Sequence, residues 1–244
     1  MITRLGAVTL LILVVGLFSP AATPGAATRD GYAWVDYYHL GGSRYWMEIQ
    51  ADGEVLYLRL RMPGMSAIDD VRRGTLTAKE AADVFGLLGP IGFFTMRSVD
   101  PFAQGVVYEG DILVVSACAG GRCNTVGARP PGFIPPGLAD FVHALEDKIP
   151  AMRPQPGELR FLRAEQIGPQ REARIRAAQR PFVSVTDEQL KSRPALLAAI
   201  QTPGRFVPID SQQLEQLSDV LPDRRSAFVS TPAPFQVRVF SSQN

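Results

Sequence analysis

The Asp52-Gly53 pair constrains the fold of this chain more than any other local feature. A two-residue hairpin turn needs positive φ at both central positions, and Asp-Gly is among the few pairs that accept it. A turn centred there sets Ile49 opposite Leu56, Met47 opposite Leu58 and Tyr45 opposite Leu60, all apolar and all on one face. The other face then carries Gln50 with Val55, Glu48 with Tyr57 and Trp46 with Arg59. A slip of one residue would mix the two sets. The pattern predicts an antiparallel hairpin over residues 45–60 with a single core face. Residues 32–40 read as a neighbouring strand, set off by Gly41-Gly42.

A helix is expected next. Thr77 and Glu80 have capping-box spacing, in which each side chain satisfies the other residue's backbone N–H. Val84, Phe85 and Leu88 follow at helical intervals, Gly89-Pro90 stops the helix, and Phe93-Phe94 drops into the core behind it. Residues 106–108, 112–119 and 122–126 are strand-like, with Gly120-Gly121 as a turn. That turn places Cys118 directly opposite Cys123, at a separation a cross-strand disulfide can span. After Pro135-Pro136-Gly137, Leu138, Phe141, Val142, Leu145 and Ile149 recur on one helical face.

The order of these elements, with the Asp52-Gly53 hairpin, the run Gly74-Thr75-Leu76-Thr77-Ala78-Lys79-Glu80 at a helix start and the Phe93-Phe94 step, resembles a family of uncharacterised exported bacterial domains, many of them lipoproteins. The resemblance covers residues 30–150. It implies an exported α+β domain and assigns no catalytic residue. The chain departs from many members in lacking a lipid-attachment Cys and in carrying cysteines at the second turn.

Residues 1–27 read as a secretory signal. Arg4 is the one charge before an apolar stretch of 14 residues, 5–18, and small residues follow to Ala27. The stretch is shorter than the roughly 17–25 residues a spanning helix needs, so no stable membrane span remains after cleavage. A secreted or periplasmic location follows, and in an oxidising compartment the paired cysteines read as a disulfide.

Residues 151–157 (AMRPQPG) read as a linker. The charge changes sign there, with 11 basic against 15 acidic residues over 28–150 and 13 against 9 over 151–244. The expected fold class is therefore α+β, with a largely antiparallel sheet and two helices in an N-terminal domain (28–150) and a smaller mixed α+β C-terminal domain (158–244). Within the latter, Phe182-Val-Ser-Val-Thr before Gln189-Leu190 is echoed by Phe206-Val-Pro-Ile-Asp before Gln213-Leu214. Thr186 with Gln189 and Asp210 with Gln213 again have capping-box spacing.

No GxSxG, HExxH, GxxxxGK or GxGxxG sequence occurs, so no catalytic, cofactor-binding or metal-ligating residue is assigned. His39 reads as an edge residue after Asp36-Tyr37-Tyr38. His143 reads as a solvated helix position flanked by Asp140 and Glu146. Asp69-Asp70 and Arg72-Arg73 read as solvated charges on a loop over residues 63–74. The near-neutral mature chain gives no case for nucleic acid. Arg160, Arg163, Arg171, Arg174, Arg176 and Arg180, set against Glu158, Glu165 and Glu172, form the one concentrated charge feature, and Arg171, Arg174, Arg176 and Arg180 fall on a helix after Pro169 whose only large apolar residue is Ile175. They suit a protein or cell-envelope partner of acidic character, or the acidic N-terminal half. The function class expected is an exported, non-catalytic binding or interaction protein, the alternative a secreted hydrolase. The exported product should begin just after Ala22 or Ala27, which intact-mass measurement checks; a product retaining Arg4 would overturn the signal assignment.

Overall fold

The computed structural model describes residues 31–39, 44–61, 66–97, 111–129 and 134–242. The signal segment, Gly41-Gly42 and the strand-like run 106–108 lie outside them. Four strands open the chain: β1 (Tyr32–Tyr38), β2 (Arg44–Gln50), β3 (Glu54–Leu60) and β4 (Ala67–Thr75). Helix α1 (Ala78–Gly86) starts on the expected capping box, with Glu80 N–H donating to Thr77 Oγ1 and Thr77 N–H to Glu80 Oε2. A 3₁₀ turn carries Phe93, fully buried. Strands β5 (Ile112–Ala119) and β6 (Arg122–Ala128) form the second hairpin. Gly120 and Gly121 hold φ of 57° and 73° at its turn. The register sets Cys118 against Cys123 as expected, and the two are disulfide-bonded. Helix α2 (Leu138–Glu146) buries Leu138, Phe141, Val142 and Leu145.

The remaining chain adds β7 (Arg153–Pro154), β8 (Arg160–Gln166), α3 (Pro169–Ala177), β9 (Phe182–Ser184) and α4 (Asp187–Lys191). These are followed by α5 (Pro194–Gln201), β10 (Val207–Ile209), α6 (Ser211–Glu215), β11 (Ser226–Ser230) and β12 (Pro234–Ser242). Both echoed segments form a strand, a capping box and a short helix.

The expected fold class, an antiparallel N-terminal sheet with two helices beside a smaller mixed C-terminal unit, is overturned. The described strands belong to one 12-stranded sheet, ordered β10-β8-β12-β4-β3-β2-β1-β5-β6, with β7, β9 and β11 off that path. The last strand is the reason. β12 pairs antiparallel with β8 along Phe235–Ser241, and its end, Ser241–Ser242, runs parallel to Ala67–Ile68 of β4. The segment expected as a linker contributes β7, which pairs with β4 through Arg73↔Arg153 and Arg72↔Pro154.

The first hairpin differs from expectation by one residue of register. Ile49 faces Val55, Met47 faces Tyr57 and Trp46 faces Leu58. The loop has three residues, with Gly53 alone at positive φ (91°) and Asp52 Oδ1 accepting from Glu54 N–H at 3.0 Å. The Gly53 carbonyl accepts from Leu76 N–H at 2.8 Å, and a Cβ on Gly53 would sit 2.4 Å from the Leu76 carbonyl oxygen. The shift gives the sheet two buried faces. Met47, Ile49, Val55 and Tyr57 join Leu113 and Val115 against α1 and α2. Trp34, Trp46, Leu58 and Leu60 face the other way, against Phe161, Phe206 and Phe240. The charges expected on a loop over residues 63–74 lie on strand β4, where pairing to β3 through a bulge between Arg59 and Leu60 orders them. Arg61 then donates to Asp69 and Arg72 to Asp70, each at 2.8 Å.

A third core lies under α4, α5 and α6, on the opposite face of β8 and β12. The segment leaving α5 threads Gly204 beneath Trp34, with φ of 88° and a virtual Cβ only 2.7 Å from the indole ring. Gly204→Ala should therefore strain the backbone and collide with Trp34. The expected loss is about 2–4 kcal/mol in urea unfolding; an unchanged midpoint would show that the loop does not close on Trp34.

Candidate functional site

Even-numbered residues of β1 and β2 point into the space between the two halves of the sheet: Trp34 and Asp36, then Arg44, Trp46 and Glu48. The aromatic centre of that space is buried. Phe206 meets Trp46 at 5.0 Å and Phe240 at 4.9 Å between ring centroids, both edge-on, the arrangement aromatic quadrupoles favour. An ion pair closes each end.

At one end Asp36 is 6% exposed and takes two guanidiniums. Arg44 Nε donates to Oδ1 at 2.8 Å, and Arg163 Nη2, arriving from β8, donates to Oδ2 at 2.7 Å. Burial alone would raise the Asp36 carboxyl, but Arg44 and Arg163 overcome it and hold it well below the ordinary carboxylate range. Glu165 lies 3.5 Å from Arg163 Nε and 3.9 Å from Arg238, and is lowered for the same reason. Arg163 Nε and Nη1 make no hydrogen bond among the described residues. The guanidinium stands 4.9 Å from the Phe206 centroid, a cation–π contact that offsets part of that deficit.

At the other end Glu48, 3% exposed, accepts from both Nε (2.8 Å) and Nη2 of Arg205. It has one guanidinium where Asp36 has two, and here burial wins: the Glu48 carboxyl sits above its ordinary range despite Arg205. Arg205 also lies 4.4 Å from the Tyr32 ring centroid.

Beyond Glu48 the space between the halves opens into a cleft of about 800 Å³. One wall is a single face of the sheet, running through Glu48 and Gln50, then Glu54, Leu56, Arg73, Thr75 and Arg153; the register places all of them on one side. The facing wall is the last turn of α5 and its exit, with Ala198, Gln201, Thr202 and Pro208. Glu48 and Arg205 form the floor. Such a volume suits a small ligand.

The residues singled out from sequence do not line this cleft. Arg171 donates to Gln236, and Arg176 pairs with Glu172 at 2.8 Å while standing 4.5 Å from the Phe182 centroid. Arg174 and Arg180 flank Ile175 and Ala178 in a shallow depression of about 340 Å³. Of the arginines singled out from sequence, Arg163 makes a contact with residues 31–61, through Asp36, and Arg205, which was not singled out, makes another through Glu48. The sequence signal for Arg205 is slight, a Pro-Gly-Arg-Phe run that gives no hint of a distant carboxylate. His39 Nδ1 lies 2.8 Å from Asp111 Oδ2, which also accepts from Tyr37 Oη at 2.9 Å. His143 Nδ1 lies 3.1 Å from Glu146 and is exposed. Among the described residues no His, Cys, Asp and Glu gather in a group able to hold a metal ion, and no helix is long and apolar enough to cross a membrane.

Comparison with known family models and with curated proteins finds no match to this chain.

Removing one member of a buried pair leaves its partner's charge uncompensated. Asp36→Asn should cost about 3–5 kcal/mol at neutral pH, and Glu48→Gln only about 1–3 kcal/mol, because Glu48 is already disfavoured as a charge and Arg205 borders the cleft. The Asp36 carboxyl is lowered on folding, so its contribution is present above the unfolded value of about 4 and lost as pH falls through and below it. Urea titrations from neutral to acid pH should therefore show wild type and Asp36→Asn converging on acidification. A constant gap, or equal losses from the two substitutions, would refute this account of the ends.

Proposed function

We propose that the chain is an exported, non-catalytic binding protein that holds a small polar ligand in the cleft above Glu48 and Arg205. The observation that carries this reading is the construction of the cleft. Its main wall is a regular sheet face, its opposite wall a helix end, and its floor an ion pair between buried Glu48 and half-buried Arg205, so the lining is held in place before any ligand arrives. The lining offers amides and hydroxyls from Gln50, Thr75, Gln155, Gln201 and Thr202. Among the described residues it holds no histidine, cysteine or serine, the residue types that most often pair as nucleophile and base. The paired cysteines and the N-terminal signal pattern support an exported setting.

One observation favours a second reading, a secreted hydrolase. Asp111 orients His39 through Nδ1, as an orienting carboxylate does for a general base. Hydrolysis of chromogenic ester or glycoside substrates, lost in His39→Ala, would establish that activity in place of binding.

The binding reading is tested by filling the cleft. Ala198→Trp, from a half-buried helix position on the far wall, should leave the fold and melting temperature near wild type. Monosaccharides, amino acids and small carboxylates, screened by backbone amide NMR, should perturb Gly74, Thr75, Thr202 and Arg205 in wild type and not in the Trp variant. If none of these probes moves cleft amides, or if the Trp variant responds equally, the cleft is not the binding site.

A further inference from the structure

We propose that the cleft selects an anionic ligand, a hydroxylated molecule bearing a carboxylate or phosphate, through Arg73 and Arg153; this rests on the reading of the cleft as a binding site. The two arginines are direct cross-strand partners in the β4–β7 ladder. Residues so placed have Cα atoms roughly 4.5–5.5 Å apart, with side chains on the same face. Like charges in that relation repel and destabilise the pairing. Arg44, Arg61, Arg72, Arg163, Arg193 and Arg205 each lie within ion-pair distance of a carboxylate. Arg73 and Arg153 lie within that distance of none among the described residues, and both are exposed on the cleft wall.

An oxyanion placed between the two guanidiniums removes the repulsion and accepts charge-assisted hydrogen bonds from both. The neighbours set the rest of the ligand. Glu54, one pair further along the same face opposite Thr75, disfavours a second anion at that end. Gln50, Gln155 and Gln201 supply donors and acceptors for hydroxyl groups. The floor guanidinium of Arg205 is engaged by Glu48 and so leaves the anion to the wall pair.

The test uses the whole mature chain, with D-glucuronate and inorganic phosphate as anionic probes and D-glucose as the uncharged match to the first. Binding is read by calorimetry and by amide shifts at Gly74 and Thr75, in low salt and high salt. Wild type should bind at least one anionic probe, more tightly than glucose, and affinity should fall as salt rises. Arg73→Gln and Arg153→Gln should each weaken that binding at least tenfold. Their ligand-free melting temperatures in low salt should equal or exceed wild type, because each relieves the like-charge contact, so loss of binding cannot be loss of fold. Phosphate binding as tightly as glucuronate would assign the site to the phosphate group itself, glucuronate alone to a carboxylated sugar, and both outcomes uphold the anion site. Equal binding of glucose and glucuronate, unchanged in the Gln variants, would overturn the inference while leaving the cleft a binding site. Failure of both anions to bind would overturn it as well, and the Ala198→Trp comparison decides the binding reading separately.

Discussion

Asp36 sits buried between guanidiniums contributed by β2 and by β8, and the way the sheet closes on itself is fixed there. In the strand order, β1 and β8 are separated by β2, β3, β4 and β12. Strands spaced about 4.8 Å apart would put β1 and β8 roughly 24 Å from each other in a flat sheet. A hydrogen bond of 2.7 Å between them requires the sheet to curl until its two halves face one another. The driving force for that curl is apolar: Trp46, Leu58, Leu60, Phe161, Phe206 and Phe240 leave water together. The buried charges act differently. Ion pairs in an interior gain little net stability over an apolar replacement, but leaving one member alone is costly. They therefore penalise every approach of the two halves except the one that pairs them, and they set the register of the closure where aromatic packing alone would tolerate sliding.

The same curl makes the cleft. The inner face of β2–β4 continues past the aromatic centre, but the covering segment ends at α5 and Pro208, so the last rows of the sheet meet solvent across a gap. Glu48 and Arg205 mark the border between the packed and the open part. Their pairing differs in kind from that of Asp36. With two guanidinium partners, Asp36 is held ionised despite its burial; with one, Glu48 remains a disfavoured charge. A structural anchor and a site-facing pair thus use the same residue chemistry, and the number of guanidiniums around the carboxylate separates them.

Local chemistry was legible in the sequence wherever a short run of residues settles it. Three capping boxes, the Gly120-Gly121 turn with its disulfide and the apolar stripe of α2 all depend on partners within a few positions. The first hairpin departs from expectation for a related reason. Asp52-Gly53 fits a two-residue turn, but Gly53 is held by Leu76, some twenty positions on, and the loop takes three residues. Since both faces of β2 and β3 are buried, either register presents apolar pairs, and alternation could not decide between them. The single sheet was hidden because its seam is two residues long, Ser241–Ser242 on Ala67–Ile68, and the cleft because its walls come from β2–β4, β7 and α5, far apart in the chain.

The opposite charges of the two halves also have a physical meaning, though not on α3 where arginines are densest. On an exposed helix, Arg176 spends its charge on Glu172 one turn away, and such a contact is screened and worth about 0–1 kcal/mol. Arg163 and Arg205 instead deliver single guanidiniums into space lined by aromatic rings, where the dielectric is low and attraction to a carboxylate is several-fold stronger. Guanidinium suits this position better than ammonium would. Its flat face can lie on Phe206 or Tyr32 while its edge donates to Asp36 or Glu48, so one side chain meets both an apolar and an ionic neighbour. Arg163, buried, and Arg205, at the border of the cleft, thus fix how the halves of this protein meet, which a larger number of arginines on its surface would not do.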